Sequence, residues 1–284
     1  MRRLFVLAAL LLLAACQTAP KSQPKLTVVP LNHLPALAGD YFSVASKETG
    51  TSYHIYVRLP EGYEANPEKK YPVVYLLDGD SLFPLLAPTQ LFLTYDDNLP
   101  EVVLVGIAYG GFDTSINRRD IDFSATSNNQ ERPAGAPKFL QFLTNELLPL
   151  TEQRYRTDPG QRILIGQSRA AYFVIYSAFA DPALFKGRIA SNPGMREGEE
   201  KFLVLQNGVS DADLKLVLSS GTKDREHNRQ TVQKLNLMFN APNVRLPWTL
   251  IPLEIHDGTH AADIGRVYRA GMKDILGTAR KQAK

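Results

Sequence analysis

A chain of 284 residues that is 44% hydrophobic and 21% charged has material for one sizeable globular core. The net charge of +3 is small and the Lys and Arg residues are scattered, which excludes the basic stripe of a nucleic-acid binder. Cys16 is the only cysteine, which excludes any intrachain disulfide.

The first element is a leader. Arg2 and Arg3 supply positive charge, and Leu4 to Ala15 form an apolar run too short to span a bilayer as a helix. The run ends in Leu13-Ala14-Ala15-Cys16, which resembles the lipobox of bacterial lipoproteins. That resemblance implies a signal peptide over 1–15 and a diacylated Cys16 as the new N-terminus. Gln17, in the place where Asp would retain a lipoprotein at the inner membrane, implies an outer-membrane anchor facing the periplasm. Residues 16–25, rich in Pro, Lys and polar side chains, read as a lipidated tether, and 26–284 as one domain.

Within that domain, Tyr53, Ile55, Val57 and Leu59 alternate with His54, Tyr56 and Arg58, the period of a half-buried strand. Runs 73–77 and 102–107 are continuously apolar and β-rich, as strands covered on both faces are. The spacing of Phe139, Phe142, Leu143 and Leu147 predicts a helix over 138–148, stopped by Pro149. A strand over 163–166, a helix over 170–180 and a short strand over 188–191 follow. Then come a strand over 214–218, a helix over 228–239, a strand over 249–255 and a closing helix over 264–276. Alternating strands and helices predict an α/β fold with a mostly parallel central sheet flanked by helices. Ligands of such sheets bind at the carboxyl ends of the strands.

Three residues suited to nucleophilic catalysis fall at those ends. Gly166-Gln167-Ser168-Arg169-Ala170, between a strand and a helix, has the form of a nucleophile elbow. Asp224 follows the 214–218 strand, and His260 follows the last strand. The order Ser, Asp, His is that of α/β-hydrolases. A serine hydroxyl needs a base to take its proton, and the base needs a carboxylate to fix its tautomer. Asp224 is the first choice for the acid and Glu226 the second. His260 is preferred to His256, which ends the last strand and either supports the loop or lines the pocket with Gln167. His33, His54 and His227 sit less favourably. Backbone N–H groups of Arg169 and, in a loop spanning 78–81, Asp80 are expected to form the oxyanion hole. No metal or organic cofactor is implied, since His256 and His260 lack the Glu of a zinc-binding H-E-x-x-H arrangement.

Several segments together resemble the putative-esterase family of α/β-hydrolases. They are Val73-Val74-Tyr75-Leu76-Leu77-Asp78-Gly79, Val105-Gly106-Ile107, Arg118-Arg119-Asp120, Gly166-Gln167-Ser168, Gly221-Thr222-Lys223-Asp224 and Gly258-Thr259-His260. The likeness runs from about Tyr53 to Leu276 and is greatest to the trilactone siderophore esterase branch. It implies that the segment around Arg118 to Phe123 borders the cleft, with Arg118 or Arg119 facing an anionic or phenolate group. A surface ion pair with Asp120 or Asp122 is the alternative for these arginines. The chain departs from the family at Ala170-Ala171, where most members carry Gly-Gly.

The expected function is that of a serine hydrolase cleaving small-molecule carboxylic esters through an acyl-enzyme. The alternatives are a non-catalytic binding lipoprotein on the same fold and an acyltransferase.

Overall fold

The computed structural model describes residues 34–37, 39–126, 134–205 and 213–277, all within a unit spanning 31–284. The leader, Cys16, the tether, the start of the domain and His33 lie outside the described residues.

Among the described residues, eight strands form one sheet. They are β1 (Gly39–Ala45), β2 (Ser52–Arg58), β3 (Tyr71–Leu76), β4 (Val103–Ala108), β5 (Thr157–Gln167), β6 (Gly187–Ser191), β7 (Leu214–Gly221) and β8 (Trp248–Ile255). The order across the sheet is β1-β2-β4-β3-β5-β6-β7-β8. β1 and β2 run antiparallel at one edge, and every pairing from β4 to β8 is parallel. Parallel neighbours need crossovers, and the crossover helices cover both faces. This is the α/β-hydrolase fold.

Helices α1 (Gly79–Asp96) and α7 (Ile264–Leu276) cover one face. α2 (Arg119–Asp122), α3 (Ala136–Gln141), α4 (Leu148–Arg154), α5 (Arg169–Ala180) and α6 (Glu226–Phe239) lie on the other side. Two apolar layers result. Val74, Leu76, Ile163, Ile165 and Ile189 point toward α1 and α7, while Tyr75, Leu164 and Ala190 point toward α5. The period-two alternation of strand side chains produces this division.

Two helices differ from expectation. The segment after Leu77 is not a loop: α1 begins at Gly79 and continues through Pro84 and Pro88. Each proline costs an interior helix about 3 kcal/mol. Burial of Leu82, Phe83, Leu86 and Leu93, at roughly 1.5–3 kcal/mol per side chain, outweighs that. Nor does Pro149 stop the helix of 138–148. α3 passes through a π-helical segment, Phe142–Leu147, into α4, which carries Pro149 in its first turn. The Leu148 N–H reaches back to the Leu143 carbonyl, and the widened turn makes room for the proline ring.

Candidate active site

β5 ends at Gln167, and Ser168 turns the chain into α5 with φ 59° and ψ −120°. A positive φ at a non-glycine residue costs on the order of 1–3 kcal/mol and persists only when its surroundings enforce it. The Ser168 N–H donates to the Ser191 carbonyl at 2.9 Å. The Ser168 carbonyl accepts the N–H groups of Gly194 at 3.0 Å and Tyr172 at 3.2 Å. Gly166 is obligatory here, because a Cβ on it would stand 2.6 Å from the Ala170 carbonyl carbon and oxygen. Ala170 and Ala171 are fully buried and fill the space behind the turn, so this departure from Gly-Gly leaves the elbow intact.

The turns after β7 and β8 bring two more groups to the serine. His260 Nε2 lies 2.9 Å from Ser168 Oγ. His260 Nδ1 lies 3.0 Å from each carboxylate oxygen of Asp224. That contact requires the proton on Nδ1 and leaves Nε2 as an acceptor toward the hydroxyl. Asp224 also accepts the Arg225 N–H at 2.6 Å and Asn228 Nδ2 at 3.0 Å. Burial pushes the Asp224 carboxyl up, but these hydrogen bonds and the His260 ring outweigh it and hold the group below its ordinary value. Glu226 lies elsewhere, exposed on α6 and bonded to Arg229 and Gln230. His256 projects into solvent beside Asp257, its side chain 87% exposed.

Other expected site residues are redistributed. Arg169 starts α5, so its N–H has no partner within the helix. Its buried guanidinium meets Glu199 at 2.5 Å, which in turn accepts the Arg196 N–H at 2.7 Å. Asp80 sits in the first turn of α1, where its N–H is also free of helical pairing. Its carboxylate accepts the N–H groups of Tyr109 at 2.7 Å and Gly110 at 3.0 Å, joining α1 to the loop after β4. A Cβ on Gly194 would lie 3.3 Å from Ser168 Oγ and 3.5 Å from the Arg169 nitrogen. Glycine at 194 therefore leaves open a space bounded by both atoms.

Two residues expected to contact substrate bond within the protein. Gln167 Nε2 donates to the His260 carbonyl at 2.7 Å. Arg119 makes a bidentate pair with Asp78, at 2.9 and 3.0 Å. Their partners are remote in sequence, which is why neither commitment is legible there. Arg118 differs: its side chain is 36% exposed and stands 3.7 Å from Asp122. Its Nε has no hydrogen-bond partner. Asp122 is itself buried and accepts the hydroxyls of Tyr53 at 2.8 Å and Tyr109 at 3.1 Å. Burial raises its carboxyl above the usual range despite those bonds.

Sequence reasoning missed Asn192 and Asn228. Asn228 stands four residues after Asp224, a spacing that puts it one turn away at the start of α6 and could have marked it. Asn192 follows the end of β6, so its only signal was a polar residue at a strand's carboxyl end. Among the described residues there is no group of three or more His, Cys, Asp or Glu able to hold a metal ion.

Comparison with known proteins agrees with this architecture. The family model described as "Putative esterase" matches residues 46–260. The ferri-bacillibactin esterase BesA of Bacillus subtilis is 26% identical over 207 residues, covering 65% of this chain and 70% of that protein. The apo-salmochelin esterase of Escherichia coli is 24% identical over 208 residues, covering 67% of this chain and 64% of that protein. The crystal structure of a BES protein from Bacillus cereus superposes with a TM-score of 0.74 at 20% identity, covering 91% of this chain and all of that one. The chain belongs to the putative esterase family.

Proposed function

We propose that the chain is a serine esterase that opens trilactone siderophore esters through an acyl-enzyme. The observation that carries this reading is the unbroken run from Ser168 Oγ through the His260 ring to Asp224, at 2.9 and 3.0 Å. Ser168 Oγ attacks the ester carbonyl while its proton passes to His260 Nε2. Asp224 holds the ring in the Nδ1–H tautomer and stabilises the imidazolium that forms. The N–H groups of Arg169 and Asp80 receive the developing oxyanion. The imidazolium then protonates the departing alkoxide as the carbon–oxygen bond breaks. Water enters, gives its proton to Nε2 and attacks the acyl carbon, and Ser168 regains its proton as the acid leaves. No step calls for a metal or an organic cofactor.

The trilactone assignment rests on two supports. The relatives above are named for siderophore ester cleavage. Arg118 also keeps a side chain that is 36% exposed and only loosely paired with Asp122 at 3.7 Å, suited to a phenolate or carboxylate on the substrate. The mature enzyme is proposed to be a lipoprotein, held by diacylated Cys16 and the tether at the periplasmic face of the outer membrane. Cys16→Ser should move it from the membrane fraction to the soluble periplasmic fraction.

The decisive experiment compares native protein with Ser168→Ala on p-nitrophenyl butyrate and on a trilactone siderophore. Loss of the serine should lower kcat on both by on the order of 10⁶. Equal rates in the two proteins would refute the assignment.

A further inference from the structure

The His260 carbonyl, on the backbone of the base itself, receives two side-chain amides. Gln167 Nε2 donates to it at 2.7 Å and Asn192 Nδ2 at 3.1 Å. The first donor immediately precedes Ser168, and the second immediately follows β6. Asn192 also reaches the acid's loop, where its Oδ1 accepts the Gly221 N–H at 2.7 Å. This contact fixes the orientation of the amide. Its oxygen must face the Gly221 N–H, so its nitrogen faces the carbonyls of His260 and, at 3.4 Å, Thr259. Asn192 is buried and has φ 46°, a conformation that asparagine tolerates better than most residues. Its own N–H donates to the Ser219 carbonyl on β7.

The acid and base loops are themselves pressed together. A Cβ on Gly221 would lie 2.4 Å from the Gly258 carbonyl oxygen, and the Lys223 N–H donates to that oxygen at 2.8 Å. Gln167 and Asn192 complete this contact by fastening the base loop to the end of β5, which carries the nucleophile, and to the end of its neighbour β6. They leave the imidazole itself free to exchange its proton.

We propose that Gln167 and Asn192 are positioning residues, a pair of amides that holds the His260 backbone so that its ring spans Ser168 and Asp224. The inference rests on the serine esterase reading and deepens it. A displacement of about 1 Å in such a constellation is sufficient to cost roughly 10²-fold in rate. Neither residue touches the reacting atoms, so the effect falls on kcat and spares substrate affinity.

The test uses three variants of the whole protein on a neutral ester, with kcat expressed per site titrated by an organophosphonate. Gln167→Met keeps length without a donor. Asn192→Gly keeps the positive φ without an amide. Asn192→Asp keeps an acceptor for the Gly221 N–H but turns a second oxygen on the His260 carbonyl. Each should lower kcat per site by about 10–10²-fold while KM stays within about threefold. Asn192→Asp should be at least as slow as Asn192→Gly. A kcat per site within twofold of the native value in the three variants would overturn the proposal. So would a native rate in Asn192→Asp alone, which would reduce Asn192 to its Gly221 contact. A raised KM at unchanged kcat in Gln167→Met would return that residue to substrate contact and overturn its part. Turnover by Ser168→Ala in the same assay would instead sink the serine reading, so the two failures are distinguishable.

Discussion

Around the carboxyl ends of β5 to β8, the turns that carry Ser168, Asp224 and His260 are joined by amide and backbone hydrogen bonds, with one exposed ion pair, Lys223 to Asp257 at 2.8 Å, between the last two. Around β3 and β4, the fastenings are charged. Arg119 grips Asp78, Asp80 gathers two N–H groups, and Arg118 stands loosely beside Asp122 at 3.7 Å. Neutral bonds are indifferent to salt and to the charge of a passing ligand, whereas exposed ionic contacts are screened and respond to both. The amide bonds that hold the His260 backbone are therefore less sensitive to salt than the contacts of Arg118 and Arg119.

The contrast can be broken most severely on the β5–β8 side. Asp224→Asn should lower kcat by roughly 10⁴, because an amide no longer enforces the Nδ1–H tautomer. Glu226→Gln should leave kcat within about twofold. Steady-state rates on a neutral ester check both, and a larger loss from Glu226→Gln would reassign the acid. The charged side should yield less. Arg118→Ala should lower kcat/KM on an anionic catecholate ester by about 10–10²-fold, corresponding to the 1.5–3 kcal/mol of a charged hydrogen bond, and leave a neutral ester almost unchanged. The difference should shrink as salt is raised from 50 to 500 mM, values chosen to span about 14 to 4 Å of screening length. The smallest effect belongs to the space before the serine. Gly194→Ala should reduce kcat by roughly threefold to tenfold with little change in thermal midpoint, since its methyl needs only a few tenths of an ångström from Ser168 Oγ.

Much of this site was legible in the sequence because a parallel sheet delivers its chemistry to one rim. Ser168, Asp224 and His260 each follow an apolar β-rich run, and that placement was readable without coordinates. The elements that escaped lack periodic signals. Apolar residues surround α1, with Leu82, Phe83 and Leu86 buried but Leu85 and Phe92 exposed, so it displays no clean stripe. β1 is an edge strand with no buried positions. The protein partners of the expected ligand contacts escaped for a different cause. A polar side chain near a site is identified by its partner, and the partner of Gln167 is 93 residues away, that of Arg119 41 residues away. Local spacing carries no information about such pairings. His256, four residues before the base, has its side chain in solvent beside Asp257.

The contact between Gly221 and Gly258 leaves no room for even one methyl group between the two turns. Lengthening either turn would therefore pry the proton acceptor from its hydroxyl, so any reshaping of the scaffold toward new esters must leave the lengths of these two turns unchanged.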